Sequence, residues 1–118
     1  MQEIMQMAER LGQALSRTEE YQALRRAIDA SGDDRELAEL QTQIRELESD
    51  LHARLQAGKE PTEEQAEEYE TCFSNLQANS SYQRLVAAQT NFDKIVNKVN
   101  ETIHLGIQKG AESRIILQ

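Results

Sequence analysis

Glu101-Thr102-Ile103-His104 has the Glu-x-x-His spacing from which helical bundles build di-iron sites, because residues three apart on a helix share a face. Such a site needs a second copy of the motif and two further inward carboxylates. One chain supplies a single copy, and Glu101 and His104 both lie beside the apolar seam rather than on it. A solvated pair is expected there, and no metal ligand is assigned. Gly58-Lys59 lacks the remainder of a phosphate loop, which needs Gly at position 53 and Ser or Thr at 60; Ala53 and Glu60 stand there instead. His52 follows Asp50 by two residues, so on a helix the two point apart and cannot work as an acid–base pair. Cys72 has Glu67, Glu68 and Glu70 before it, the wrong charge for lowering a thiol pKa, and is expected to be a partly buried structural thiol. A lone cysteine holds neither an internal disulfide nor a four-cysteine cluster. Glu60, Glu63, Glu64, Glu67, Glu68 and Glu70 read as a solvated helix face, with a basic protein partner as the alternative. No catalytic residue, cofactor site or metal site is assigned.

The elements that carry these residues are helical. Ile4, Ala8, Leu11 and Leu15 recur at spacings of 4, 3 and 4, one face of a helix reaching about Ser16. Thr18 with Glu19 and Glu20 opens a second helix whose face holds Tyr21, Leu24 and Ile28; Ser31-Gly32-Asp33-Asp34 closes it, with Gly32 expected as a left-handed cap and Asp33 opening the next helix. From 34 to 57, Leu37, Leu40, Ile44, Leu47, Leu51 and Leu55 form a narrow heptad seam. Gly58 to Pro61 breaks the pattern, Thr62 caps the next helix, and Ala66, Tyr69, Phe73 and Leu76 give its face. After a break at Asn79-Ser80-Ser81 comes the clearest seam: Tyr82, Leu85, Gln89, Phe92, Val96, Val99 and Ile103. Gln89 is its polar member, either fixing orientation in a dimer or reaching water at the seam edge. Gly106 and Gly110 predict fraying, and Ile115-Ile116-Leu117 falls outside the pattern.

Charge narrows the function classes. Net charge is −8; residues 1–79 hold 18 acidic and 8 basic side chains, residues 80–118 hold 3 and 5. An acidic body repels phosphate backbones, so direct nucleic-acid binding is not expected. No stretch approaches the roughly 20 apolar residues that span a bilayer. The opening MQEIMQMAERLG lacks a signal-peptide core, and the single cysteine suits a reducing compartment, so a cytoplasmic protein is expected.

Ala8 to Leu11, Thr18-Glu19-Glu20-Tyr21-Gln22, Gln56-Ala57-Gly58-Lys59-Glu60, Thr62-Glu63-Glu64, Asn79, Ala88-Gln89-Thr90-Asn91-Phe92 and Val99-Asn100, in this order and spacing, resemble the YlbF/YmcA family of small bacterial helical regulatory proteins. The resemblance covers nearly all of residues 4–107. It implies an all-α, cytosolic, commonly self-associated protein. It also implies a regulatory role, since some members act in complexes that assist an endoribonuclease in RNA maturation and govern competence, sporulation and biofilm formation. Two departures stand out. Cys72 is alone, where members of that complex carry cysteines tied to iron–sulfur clusters, and Ser80 follows Asn79 where the family often has Pro.

The expected architecture is therefore an all-α antiparallel helical bundle with two long heptad-patterned helices and shorter flanking helices. Residues 1–110 form the single domain and 111–118 a tail. Residues 34–57 are expected to fold back on 82–107, and leftover apolar surface to be buried by dimerisation. Leu37, Leu40, Ile44, Leu47, Leu51, Leu85, Gln89, Phe92, Val96, Val99 and Ile103 are the expected oligomer or partner seam. The expected function is a non-enzymatic protein–protein interaction or regulatory subunit, with a homo-oligomer, a possible protein partner in a regulatory complex, no direct nucleic acid and no membrane. The alternatives are a structural homo-oligomer without an obligate partner and, behind it, a metal-binding bundle.

Overall fold

The computed structural model describes the backbone of residues 1–117 and the side chains of residues 1–113. Five helices follow one another: α1 (Gln2–Ser16), α2 (Glu19–Gly32), α3 (Arg35–Gln56), α4 (Glu63–Ala78) and α5 (Ser80–Leu117). Among the described residues there is no strand.

Single extended residues make the corners. Thr18, Asp34 and Asn79 have ψ of 152°, 103° and 125°, so each breaks the helical path for one residue and then caps the next helix. Thr18 Oγ1 accepts the Tyr21 N–H at 3.1 Å, Asp34 Oδ1 the Leu37 N–H at 3.0 Å, and Asn79 Oδ1 the Tyr82 N–H at 2.9 Å. The longer turn between α3 and α4 is built differently. Gly58 takes φ +74°, the left-handed region, and the Lys59 N–H reaches back to the Arg54 carbonyl at 2.9 Å, a Schellman closure. The Arg54 guanidinium then donates twice to the Glu60 carbonyl, at 3.0 and 2.8 Å. Thr62 and Gln65 form a reciprocal capping box that starts α4.

The packing corrects one expectation. α3 does not lie along α5: it pairs with α4, and α5 pairs with α2. Short connections put sequential helices side by side, and the turn at Gly58 folds α4 straight back onto the α3 seam before α5 can reach it. The principal core is thus Leu37, Leu40, Ile44 and Leu47 of α3 against Cys72 and Leu76 of α4, with Tyr69 and Tyr82 packed on its edge. A smaller contact holds Leu24 and Ala27 of α2 against α5. There Tyr21 meets Phe92 edge-on, ring centres 5.3 Å apart. α5 continues through Gly106 and Gly110 to Leu117. The role of the Ile115–Leu117 side chains lies outside the described residues.

The result is long and thin. Its extents are 68 × 37 × 23 Å and its radius of gyration is 21.7 Å. A compact chain of this length would have a radius near 13 to 14 Å by the usual scaling. The excess comes from α5, about 57 Å long at the α-helical rise, whose second half passes beyond α2.

Candidate interaction surface

The chemistry-bearing residues are not gathered into a site. Glu101, His104 and His52 are all exposed. Among the described residues no three His, Cys, Asp or Glu side chains cluster at metal-binding distances. Gly58 supplies its helix stop, and no cradle surrounds Lys59. Cys72 is 2% exposed, with its Sγ 3.6 Å from the Leu40 carbonyl. Burial pushes its thiol pKa up, the opposite of an activated nucleophile. Most acidic side chains of α4 face outward, on shallow open surface. Tyr69, half-buried, donates to Glu48 Oε1 at 3.2 Å, and desolvation followed by that carboxylate pushes its phenol pKa up.

The eleven seam residues divide sharply. Leu37, Leu40, Ile44 and Leu47 are buried inside the chain against α4. Leu51 at the end of that row is half-buried. Leu85, Phe92, Val96 and Val99 are half-buried, and Phe92 packs on Tyr21 of α2. Gln89 is exposed and donates to Asp93 Oδ1 at 2.9 Å along its own helix. Ile103 is 48% exposed. The face that α5 turns inward carries Ala88 and Ile95 rather than Gln89. On α4 the inward face runs through Tyr69, Cys72 and Leu76, leaving Phe73 outside at 40%. A small cysteine fits where α3 and α4 approach closely, and its apolar character is easy to overlook in a periodicity that follows only large side chains.

What remains uncovered falls mostly on α1 and the far half of α5, with Ile28, Leu55, Phe73 and Val86 open elsewhere. α1 has no buried residue; Ile4, Met5, Met7 and Leu11 all stand open, with Ile4 at 55%. The far half of α5 likewise exposes Ile103, Leu105 and Ile107, the last at 63%. α1 was legible as an amphipathic helix, but nothing in its periodicity showed that its apolar face would find no cover within the chain. Charge runs the other way. Positions 33–79, the α3–α4 hairpin and its flanks, hold 13 acidic and 4 basic residues. Acidic charge thus gathers on the α3–α4 hairpin, and open apolar side chains on α1 and the far half of α5. Among the described residues no helix is long and apolar enough to cross a membrane.

A family model described as control of competence regulator ComK, YlbF/YmcA, matches residues 4–108. A UPF0342 protein of Staphylococcus saprophyticus is 26% identical over 96 residues, covering 81% of this chain and 84% of that protein. No solved structure matches the chain.

Proposed function

Because this chain belongs to the YlbF/YmcA family, whose description is regulatory, we propose that it is a non-enzymatic regulatory protein that works in the cytoplasm by binding other protein chains, its own copies among them. The observation that carries the reading is the pair of open apolar faces, on α1 and on the far half of α5, in a long, thin chain whose α3–α4 hairpin is acidic. Open apolar faces on a chain this polar mark places where another chain sits. The buried, unactivated Cys72 and the scattered, exposed histidines support a role without catalysis. Net charge of −8 argues that any part in RNA processing is played through a protein rather than by gripping the phosphate backbone.

The test is affinity capture of the tagged full-length chain from a lysate of its own cells, with and without nuclease, followed by reconstitution from purified components. A nuclease-resistant partner that rebinds the purified chain at fixed stoichiometry supports the regulatory reading. Recovery of the chain alone as a stable oligomer points instead to a structural homo-oligomer. A tight, salt-sensitive complex of the purified chain with RNA overturns the exclusion of direct nucleic-acid binding.

A further inference from the structure

The acidic α3–α4 hairpin has a groove that its carboxylates do not line. At the Asn79 corner the chain turns through a single extended residue, and α5 leaves the hairpin there with Tyr82, in its first turn, still packed on the core. The wedge that opens has a volume of about 400 Å³ and is lined by Gln41, Ile44 and Arg45 of α3, Leu76 of α4 and Tyr82 of α5. Ile44 and Leu76 are core residues whose edges form its floor. Gln41, Arg45 and Glu48, at spacings of 4 and 3, share the face of α3 that borders it. Glu48 accepts the Tyr69 hydroxyl of α4, and Phe73 stacks on Tyr69 with ring centres 6.1 Å apart. The apolar floor therefore continues one turn back along α4 to Phe73, which stands 40% exposed.

Charge singles this groove out. Neighbouring hollows on the hairpin are lined by Glu39 and Glu46, or by Glu67 with Glu70 or Glu68. Here the charged lining residue is a cation. The Arg45 Nε–H donates to the Gln41 carbonyl at 3.3 Å, which holds the guanidinium at the rim and leaves its two terminal nitrogens for an incoming group. Among the described residues Arg45 forms no ion pair, and the Glu48 carboxylate one turn away is taken by Tyr69. That fork matches a carboxylate, which it can hold through two parallel hydrogen bonds. A run of acids would be repelled by the hairpin, where positions 33–79 hold 13 acidic and 4 basic residues, so a single carboxylate on an otherwise neutral or basic surface is the complement.

Shape narrows the occupant further. The wedge is open on its outer side, which suits side chains fixed on a partner's backbone better than a free small molecule that needs enclosure. Its two apolar spots, over Ile44 and Leu76 and beside Phe73, lie about one helical turn apart, the spacing at which a helix laid in a groove presents its anchors. The geometry points to a docking groove for an amphipathic helix of a different protein, carrying two large apolar side chains one turn apart and a single Asp or Glu beside them that pairs with Arg45. The inference rests on the partner-binding part of the function proposed above and gives it a further surface, on the hairpin.

The test is selection from a display library of helix-favouring peptides of about 14 residues, roughly four turns, against the full-length chain. The peptides expected to be enriched carry two large apolar residues one turn apart, one Asp or Glu beside them, and a net charge of zero or above. An enriched peptide is then titrated by fluorescence anisotropy. Arg45→Ala and Phe73→Ala, both at exposed side chains, are each expected to weaken it about tenfold while circular dichroism and the melt stay unchanged. Arg45→Glu is expected to reject that peptide and to accept its counterpart with Lys in place of the acid, a reversal that a direct charge pair gives and a structural role does not. Ile107→Ala, on the open far half of α5, is expected to change nothing. Failure to enrich any peptide overturns the groove, and so do peptides that ignore Arg45→Ala or that are weakened by Ile107→Ala instead. A captured cellular partner that binds Arg45→Glu as well as the unsubstituted chain overturns the groove and leaves the regulatory reading standing. Peptides that behave as expected, with no cellular partner captured, leave the groove standing and count against the regulatory reading.

Discussion

Asn79 donates from Nδ2 to Asp34 Oδ2 at 3.3 Å, while each of the two side chains also caps a helix. One hydrogen bond therefore ties the α2–α3 corner to the α4–α5 corner, and with it the hairpin core to the long helix. Asn79 is 8% exposed and is the buried polar residue among those described. Asn79→Ala removes the α5 cap and takes a donor from Asp34. The expected loss is about 1 to 2 kcal/mol. For a domain of this size that lowers the melting temperature by roughly 4 to 8 °C. Asn75→Ala, on the exposed face of the neighbouring α4, is the control and should leave the melt nearly unchanged. Equal melts for the two variants would show that the corner bond holds nothing.

The same node predicts an acid limb. Asp34 is held below the usual carboxylate range, chiefly by the Leu37 N–H that it accepts, then by the Ser81 hydroxyl, with the Asn79 amide adding a smaller share. A carboxyl whose folded pKa is depressed adds stability that is complete above its unfolded value near 4 and is lost as pH falls through the lower folded value. Urea midpoints should thus be flat from pH 7 to about 5 and fall below about 4. Asp34→Asn keeps an efficient cap but cannot titrate, so its midpoint should lose part of that slope. An identical slope in the two proteins would place the acid sensitivity elsewhere.

The helices and their ends were legible because their signals are local. Thr18 and Thr62 are capping side chains where the periodicity breaks, and Gly58 takes the left-handed turn that ends α3; at the α2–α3 break the cap falls on Asp34 rather than on Asp33, and Gly32 stays helical instead of taking a left-handed cap. Which helix covers which face was not legible. A heptad row such as Leu37, Leu40, Ile44 and Leu47 states that something apolar lies opposite, and α4 satisfies it as readily as α5 would. The choice was made by the turn at Gly58 and the one-residue corner at Asn79, whose angles follow from backbone geometry rather than residue type. The candidate surface was half legible for the same reason. The periodicity marked Ile103 and the α1 face as apolar, and only the packing shows that they remain uncovered while Leu37 does not.

Gln89 tests the α5 seam directly. Its side chain is exposed and bonded to Asp93, so Gln89→Leu should change stability by no more than about 0.5 kcal/mol and leave the oligomeric mass as it was. Ala88→Glu, one position round on the face turned inward, places a charge against α2 and should cost about 2 kcal/mol or more. A melt for Gln89→Leu raised by more than 5 °C or so would mean that Gln89 faces a helix that covers it, and would return it to the seam.

Cys72 gives a local probe of the hairpin core. Burial keeps the thiol protonated and out of reach, so a water-soluble disulfide reagent at pH 8 should label native protein at least ~100-fold more slowly than protein in denaturant. Labelling then reports how often α3 and α4 part. Leu37, with no exposed surface, lies in the same cluster, and Leu37→Ala should cost about 2 to 5 kcal/mol through the cavity it leaves. Labelling should speed up in proportion, because the same cluster must open to release the thiol. Leu55→Ala, 61% exposed at the end of α3, should alter neither quantity. If Leu37→Ala lowers the melt but leaves labelling slow, the thiol is shielded by something other than the α3–α4 contact; if native protein labels at the denatured rate, Cys72 is not buried between those helices in solution.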